Sequence, residues 1–118
     1  MAVSNYQNLK VWQRAMDLTE EIYRLVKVLP KEELYSLSDQ MRRAAVSIPS
    51  NIAEGNGRQT SGEFQRFLKI AKGSASELET QLLICERLGY INCSDTDKAK
   101  DLLIEISKMI TALVTRNS

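Results

Sequence analysis

Arg42–Ser76 reads RRAAVSIPSNIAEGNGRQTSGEFQRFLKIAKGSAS, a pattern of two helices joined by a glycine turn. With Leu37 and Met41 just ahead of it, Ala44, Ala45, Ile48 and Ile52 recur at the spacing of one helix face. Arg42, Arg43, Ser47, Ser50 and Glu54 fall on the other side. Pro49 lies inside the pattern. It has no N–H and its ring crowds the carbonyl of Ala45, which predicts a kink. Gly55-Asn56-Gly57 predicts the stop, glycine entering the left-handed region at little cost. Thr60-Ser61-Gly62-Glu63 has the form of a capping box, with Thr60 as N-cap and Glu63 reaching back. Phe64, Phe67, Leu68, Ala71, Ala75, Leu78, Leu82 and Cys85 then carry a third helix to about Leu88, with Gly89 as its stop. The small residues from Ala71 to Ser76 cost helix propensity, about 1 kcal/mol at Gly73 relative to alanine. They predict close approach by another backbone.

Outward from this stretch, a first helix is predicted over Leu9–Leu29, capped by Asn8 and ended by Pro30. One apolar row runs through Leu9, Trp12, Met16, Tyr23 and Val26, with Thr19 filling a seam position. A second runs through Val11, Ala15, Leu18, Ile22, Leu25 and Leu29. Two adjacent rows make a face broader than a lone surface helix needs. Contact on two sides is therefore expected, from two intrachain neighbours or from a neighbour and another subunit. The connection Pro30–Leu37 has room for one helical turn at Lys31–Leu34, and Ser36 or Ser38 is placed to cap the second helix. After a turn at Tyr90–Cys93, Ser94 with Asp97 resembles another cap. A fourth helix follows to about Thr115 through Ala99, Leu102, Leu103, Ile106, Met109, Ile110 and Leu113. The expected fold is all-α: an antiparallel up-down-up-down four-helix bundle, kinked at Pro49, forming one domain over residues 1–118.

The composition narrows the chemistry. Hydrophobic residues at 43% and charged residues at 26% describe a folded globular chain. No apolar run approaches the roughly 20 residues that span a bilayer, and MAVSNYQNLK has no apolar leader segment, so a cytoplasmic protein with no membrane partner is expected. There is no histidine, the commonest general base and metal ligand. Cys85 and Cys93 alone cannot complete a zinc site; Cys85 reads as a core residue and Cys93 as a turn residue. Glu77 and Glu79 diverge on a helix and share neither a metal nor a proton. Ser47, Ser50, Ser74 and Ser76 have no base partner and read as small packing residues. No catalytic residue, metal or cofactor is expected, and an enzyme would need a site assembled across subunits, lined by Glu54 and arginines.

What remains is charge. Arg42, Arg43, Arg58, Arg66, Lys69 and Lys72 face only Glu54 and Glu63 within the opening stretch, a net of +4 against +1 for the whole chain. A charged row on a helix is commonly just a solvated face. The functional reading is a patch that contacts phosphates and so binds RNA or DNA with little base specificity. Tyr6, Trp12, Tyr23, Tyr35 and Tyr90 are scattered and build no stacking platform with the basic residues. The alternative is a protein–protein adaptor that binds no nucleic acid.

Three segments carry a resemblance: LKVWQRAM at Leu9–Met16, QMRRAAVSIPSNIAEGNGR at Gln40–Arg58 and EFQRFLKIAKGSASELETQL at Glu63–Leu82. Together they resemble the bacterial four-helix bundle proteins first noticed as products of intervening sequences in 23S ribosomal RNA genes. The core of the likeness is S-I-P-x-N-I-A-E-G, here Ser47, Pro49, Asn51, Glu54 and Gly55 with their neighbours. The resemblance implies a homo-oligomer, a ring-shaped pentamer. A distant relative, the accessory variability determinant of diversity-generating retroelements, implies as partners a nucleic acid or a reverse-transcriptase-like protein, met through a basic surface.

Overall fold

The computed structural model describes residues 5–117. The apolar rows become four α-helices: α1 (Lys10–Val26), α2 (Leu37–Asn56), α3 (Ser61–Arg87) and α4 (Asp97–Arg116). Three 3-10 turns, Asn5–Asn8, Lys31–Glu33 and Cys93–Thr96, lie ahead of α1 and in two of the connections. Each helix packs on the next, and α1 closes on α4. Contacts between helices set their directions. Gly55 near the end of α2 lies against Phe67 near the start of α3, while Met41 meets Cys85 at their other ends. Gln65 reaches the carbonyl of Val114, and Lys100 reaches Glu86, so α3 and α4 also run oppositely. Arg14 in α1 pairs with Glu105 near the middle of α4.

The second apolar row of α1 faces the interior: Val11, Ala15, Leu18, Ile22 and Leu25 are buried, with Leu29 just past the helix end. Met41, Ile48, Ile52, Leu68, Leu78, Leu82, Ile106 and Ile110 complete the core, each fully buried. Burial of such a side chain contributes about 1.5–3 kcal/mol. The first row of α1 divides. Val26 is buried, Trp12 and Thr19 are half-buried, and Met16 and Tyr23 are exposed. Trp12, Met16 and Thr19, with Val46 and Pro49 of α2, border an open apolar cleft of about 340 Å³, while Tyr23 and Val26 lie at a separate cleft with Leu29, Pro30 and Leu34. No helix of the described residues is long and apolar enough to cross a membrane.

α2 continues through Pro49, which is buried. The missing N–H leaves the carbonyl of Ala45 without its helical partner. Thr19 Oγ1 of α1 shares its one proton between Ala15 O, at 2.8 Å, and this carbonyl, at 3.3 Å. The hydroxyl in the apolar seam thus serves the proline of the neighbouring helix.

Several local expectations are corrected. Asn8 does not cap α1: the N-cap position is Leu9 and no side chain fills the role. The helix ends at Val26, ahead of Lys27–Leu29. Ser36 stands at the N-cap of α2, but its hydroxyl donates to Glu33 Oε1, which also accepts from the N–H of Leu37. At α4 the cap position is Thr96 rather than Ser94. Gly57 is right-handed at φ −81°, and the left-handed residue is Gly89 at φ 78°. Tyr90 N–H to Cys85 O and Gly89 N–H to Glu86 O complete the glycine cap there. Thr60 does cap α3, accepting from Glu63 N–H at 3.1 Å.

The close approach is real but lies one helix earlier than expected. A Cβ on Gly55 would stand 2.6 Å from Phe67 Cβ, whereas a Cβ on Gly73 would meet nothing within 4 Å. Ala71 and Ala75 do face the core, and Ser74 shares a 2.8 Å hydrogen bond with Ser47.

Candidate nucleic-acid interface

The six basic residues singled out in the sequence do not gather. Arg42 and Arg43 both lie near Asp39, at 3.9 and 3.0 Å, and Arg42 also donates to Leu34 O. Asp39 stands just outside the stretch whose charge was counted. These arginines occupy the first turns of α2, roughly 24 Å of helical rise from Arg58.

Arg58, Arg66, Lys69 and Lys72 do connect. Arg58 pairs with Glu54 at 2.7 Å and places its guanidinium 4.9 Å from the centroid of the Phe67 ring. Arg66 lies 4.8 Å from the same centroid. From Arg66, each step of three residues turns about 60° around the helix. The row therefore crosses the outer face of α3 from the α2 side to the α4 side. There Lys72 Nζ donates to Thr111 Oγ1 of α4 at 2.9 Å. Lys108 stands one turn from Thr111 and extends the row onto α4. The result is a cationic track, Arg58–Arg66–Lys69–Lys72–Lys108, all exposed.

The track lies in a basic half of the bundle. Residues 5–17, 48–74 and 105–117, brought together by the antiparallel register, hold eight lysines and arginines against four carboxylates, a net of +4. Residues 18–47 and 75–104 hold eight against eleven, a net of −3. Three of the four carboxylates in the basic half are occupied: Asp17 and Glu105 by Arg14, and Glu54 by Arg58. Among the described residues, Lys10, Arg66, Lys69, Lys72, Lys108 and Arg116 have no carboxylate within ion-pairing distance.

The motif residues hold helices together. Asn51 Nδ2 donates to Ser47 O at 2.8 Å and to Ser47 Oγ at 2.9 Å, and Ser47 joins Ser74 of α3. Pro49 frees the carbonyl that Thr19 takes, Glu54 positions Arg58, and Gly55 admits Phe67.

The model of the family described as 23S rRNA-intervening sequence protein matches residues 7–112. The chain belongs to that family. A solved structure supports the architecture: a protein of unknown function from the S23 ribosomal protein family of Bacteroides thetaiotaomicron is 27% identical, with a TM-score of 0.81. The match covers 88% of this chain and 97% of that one. No curated protein matches.

Other side chains in this 23S rRNA-intervening sequence family member offer little to chemistry. Burial pushes the Cys85 thiol up to about 11, with the Glu33 and Glu86 carboxylates adding to the shift. A thiol so far from ionising is a poor nucleophile. Cys93 is exposed, and its Sγ donates to Glu86 Oε1 at 3.4 Å. Among the described residues no group of three metal-ligating side chains comes together.

Proposed function

We propose that this protein is a non-enzymatic, oligomeric helical bundle that binds nucleic acid through the cationic track on α3 and α4. The observation that carries the reading is the row of exposed cations, most of them free of carboxylate partners, in a half of the bundle with net charge +4. Fluorescence anisotropy with a structured RNA at low salt tests it. Binding is expected, with at least a tenfold loss in a variant carrying Arg66→Ala, Lys69→Ala and Lys72→Ala, taking about 0.5–1 kcal/mol per exposed phosphate contact. Arg42→Ala with Arg43→Ala should leave binding nearly intact. No binding at low salt rejects the reading.

Oligomerisation draws on a second observation, the apolar cleft between α1 and α2, where Met16 is 38% and Val46 is 40% exposed. A closed ring requires two different faces on each copy, and this cleft supplies one of them. Light scattering should give a pentamer's mass and a smaller species for Met16→Glu; a wild-type monomer at micromolar concentration rejects the assembly.

A further inference from the structure

We infer that the nucleic acid held by the track is double-helical and is gripped by its phosphates, without base stacking. This rests on the nucleic-acid reading above. Proteins that bind single strands tightly combine a basic groove with exposed aromatic faces, each stacked base adding about 1–3 kcal/mol. The basic half has no such face to offer. Phe64 and Phe67 are half-buried; Phe64 packs against Gly55 of α2, and the Phe67 ring already lies under the guanidiniums of Arg58 and Arg66. Tyr6 and Trp12 are half-buried, pack edge to face at 5.4 Å, and line the α1–α2 cleft away from the track. The exposed aromatics, Tyr23 at 44% and Tyr35 at 90%, stand in the acidic half.

The track instead presents donors suited to a backbone. Arg66, Lys69 and Lys72 wind around α3, Lys72 donates to the Thr111 hydroxyl of α4, and Lys108 stands one helical turn from Thr111. Lysines, arginines and hydroxyls on a convex helical surface meet phosphate oxygens and fix position without reading sequence. A duplex places its charges more densely, one per about 1.7 Å of axis, than either strand alone. A surface with cations and no stacking platform therefore favours the duplex.

The test compares a 20-base-pair RNA duplex, a DNA duplex of the same sequence and each separated strand, using the full chain and fluorescence anisotropy at one salt concentration. The duplexes should bind about tenfold more tightly than the strands. The RNA and DNA arms show whether 2′-hydroxyls add to the phosphate contacts. Lys72→Ala with Lys108→Ala should weaken duplex binding about tenfold, whereas Tyr35→Ala should leave it unchanged. Trp12 fluorescence should not be quenched on binding. Equal or tighter binding of the strands, or quenching of Trp12 by them, overturns the inference and leaves the nucleic-acid reading standing. Failure of all four ligands to bind at low salt overturns both.

Discussion

Gly55 and Gly73 both sit within long helices, and alanine has opposite effects at the two. Alanine is favoured over glycine in a helix by about 1 kcal/mol. At Gly73 nothing lies within 4 Å of the added methyl, so Gly73→Ala should raise stability by about 0.5–1 kcal/mol. At Gly55 the methyl would lie 2.6 Å from Phe67 Cβ and 3.1 Å from a ring carbon of Phe64. Neither helix can yield without disturbing the core, so Gly55→Ala should lower stability by about 1–3 kcal/mol. Urea midpoints of the two variants check this, and equal shifts of the same sign would contradict it. The sequence pattern points to Gly55 as a helix stop and to the run around Gly73 as the close approach, the reverse of where the packing puts the contact. Only the register of α2 on α3 sets that contact, and that register depends on contacts between residues distant along the chain.

At the scale of elements, the α3–α4 turn is held by Glu86. Its carboxylate accepts from Lys100 Nζ at 2.6 Å, from Thr96 Oγ1 and from Cys93 Sγ. The Lys100 bond, then the Thr96 bond, holds Glu86 below the usual carboxylate range. Ser36, then Tyr90, does the same for Glu33 in the α1–α2 connection. A carboxylate depressed in the folded state adds stability that is complete above its unfolded value, about 4.3, and is lost as pH falls through the folded value. Stability should therefore drop on acidification below about pH 4, and Glu86→Gln should make that drop shallower. Urea midpoints across the acid range measure it; identical slopes for the two proteins would rule out Glu86 as a contributor. These turn contacts were illegible in the sequence because local patterns nominate Ser36 and Ser94 as caps, whereas the bonds come from Glu33 and Glu86. The helices themselves were legible, since each core row keeps its three-and-four spacing from Val11 to Ile110. The basic row on α3 was legible for the same reason. Lys108 was not, because only the packing of α4 on α3 brings Thr111, one turn from Lys108, to Lys72. Asp39, three and four residues ahead of Arg42 and Arg43, offsets both arginines from outside the basic stretch.

Across the whole molecule, charge divides along the bundle. A net charge of +1 conceals halves of +4 and −3, and the antiparallel register gathers segments from all four helices into each half. A near-neutral chain can thus present a basic surface without being a basic protein. Subunits set side by side in a closed ring with parallel axes would place all the basic halves on one rim, multiplying a weak contact by avidity.

The most direct test of the track as the phosphate-binding surface is the salt dependence of duplex binding. Each cation that contacts a phosphate contributes about −0.9 to the slope of log K against log salt concentration. Removing Arg66, Lys69, Lys72 or Lys108 one at a time should make the slope shallower by about that amount, and removing Arg42 or Arg43 should not change it. A slope unaltered by the track substitutions, or reduced instead by those at Arg42 and Arg43, would contradict the account.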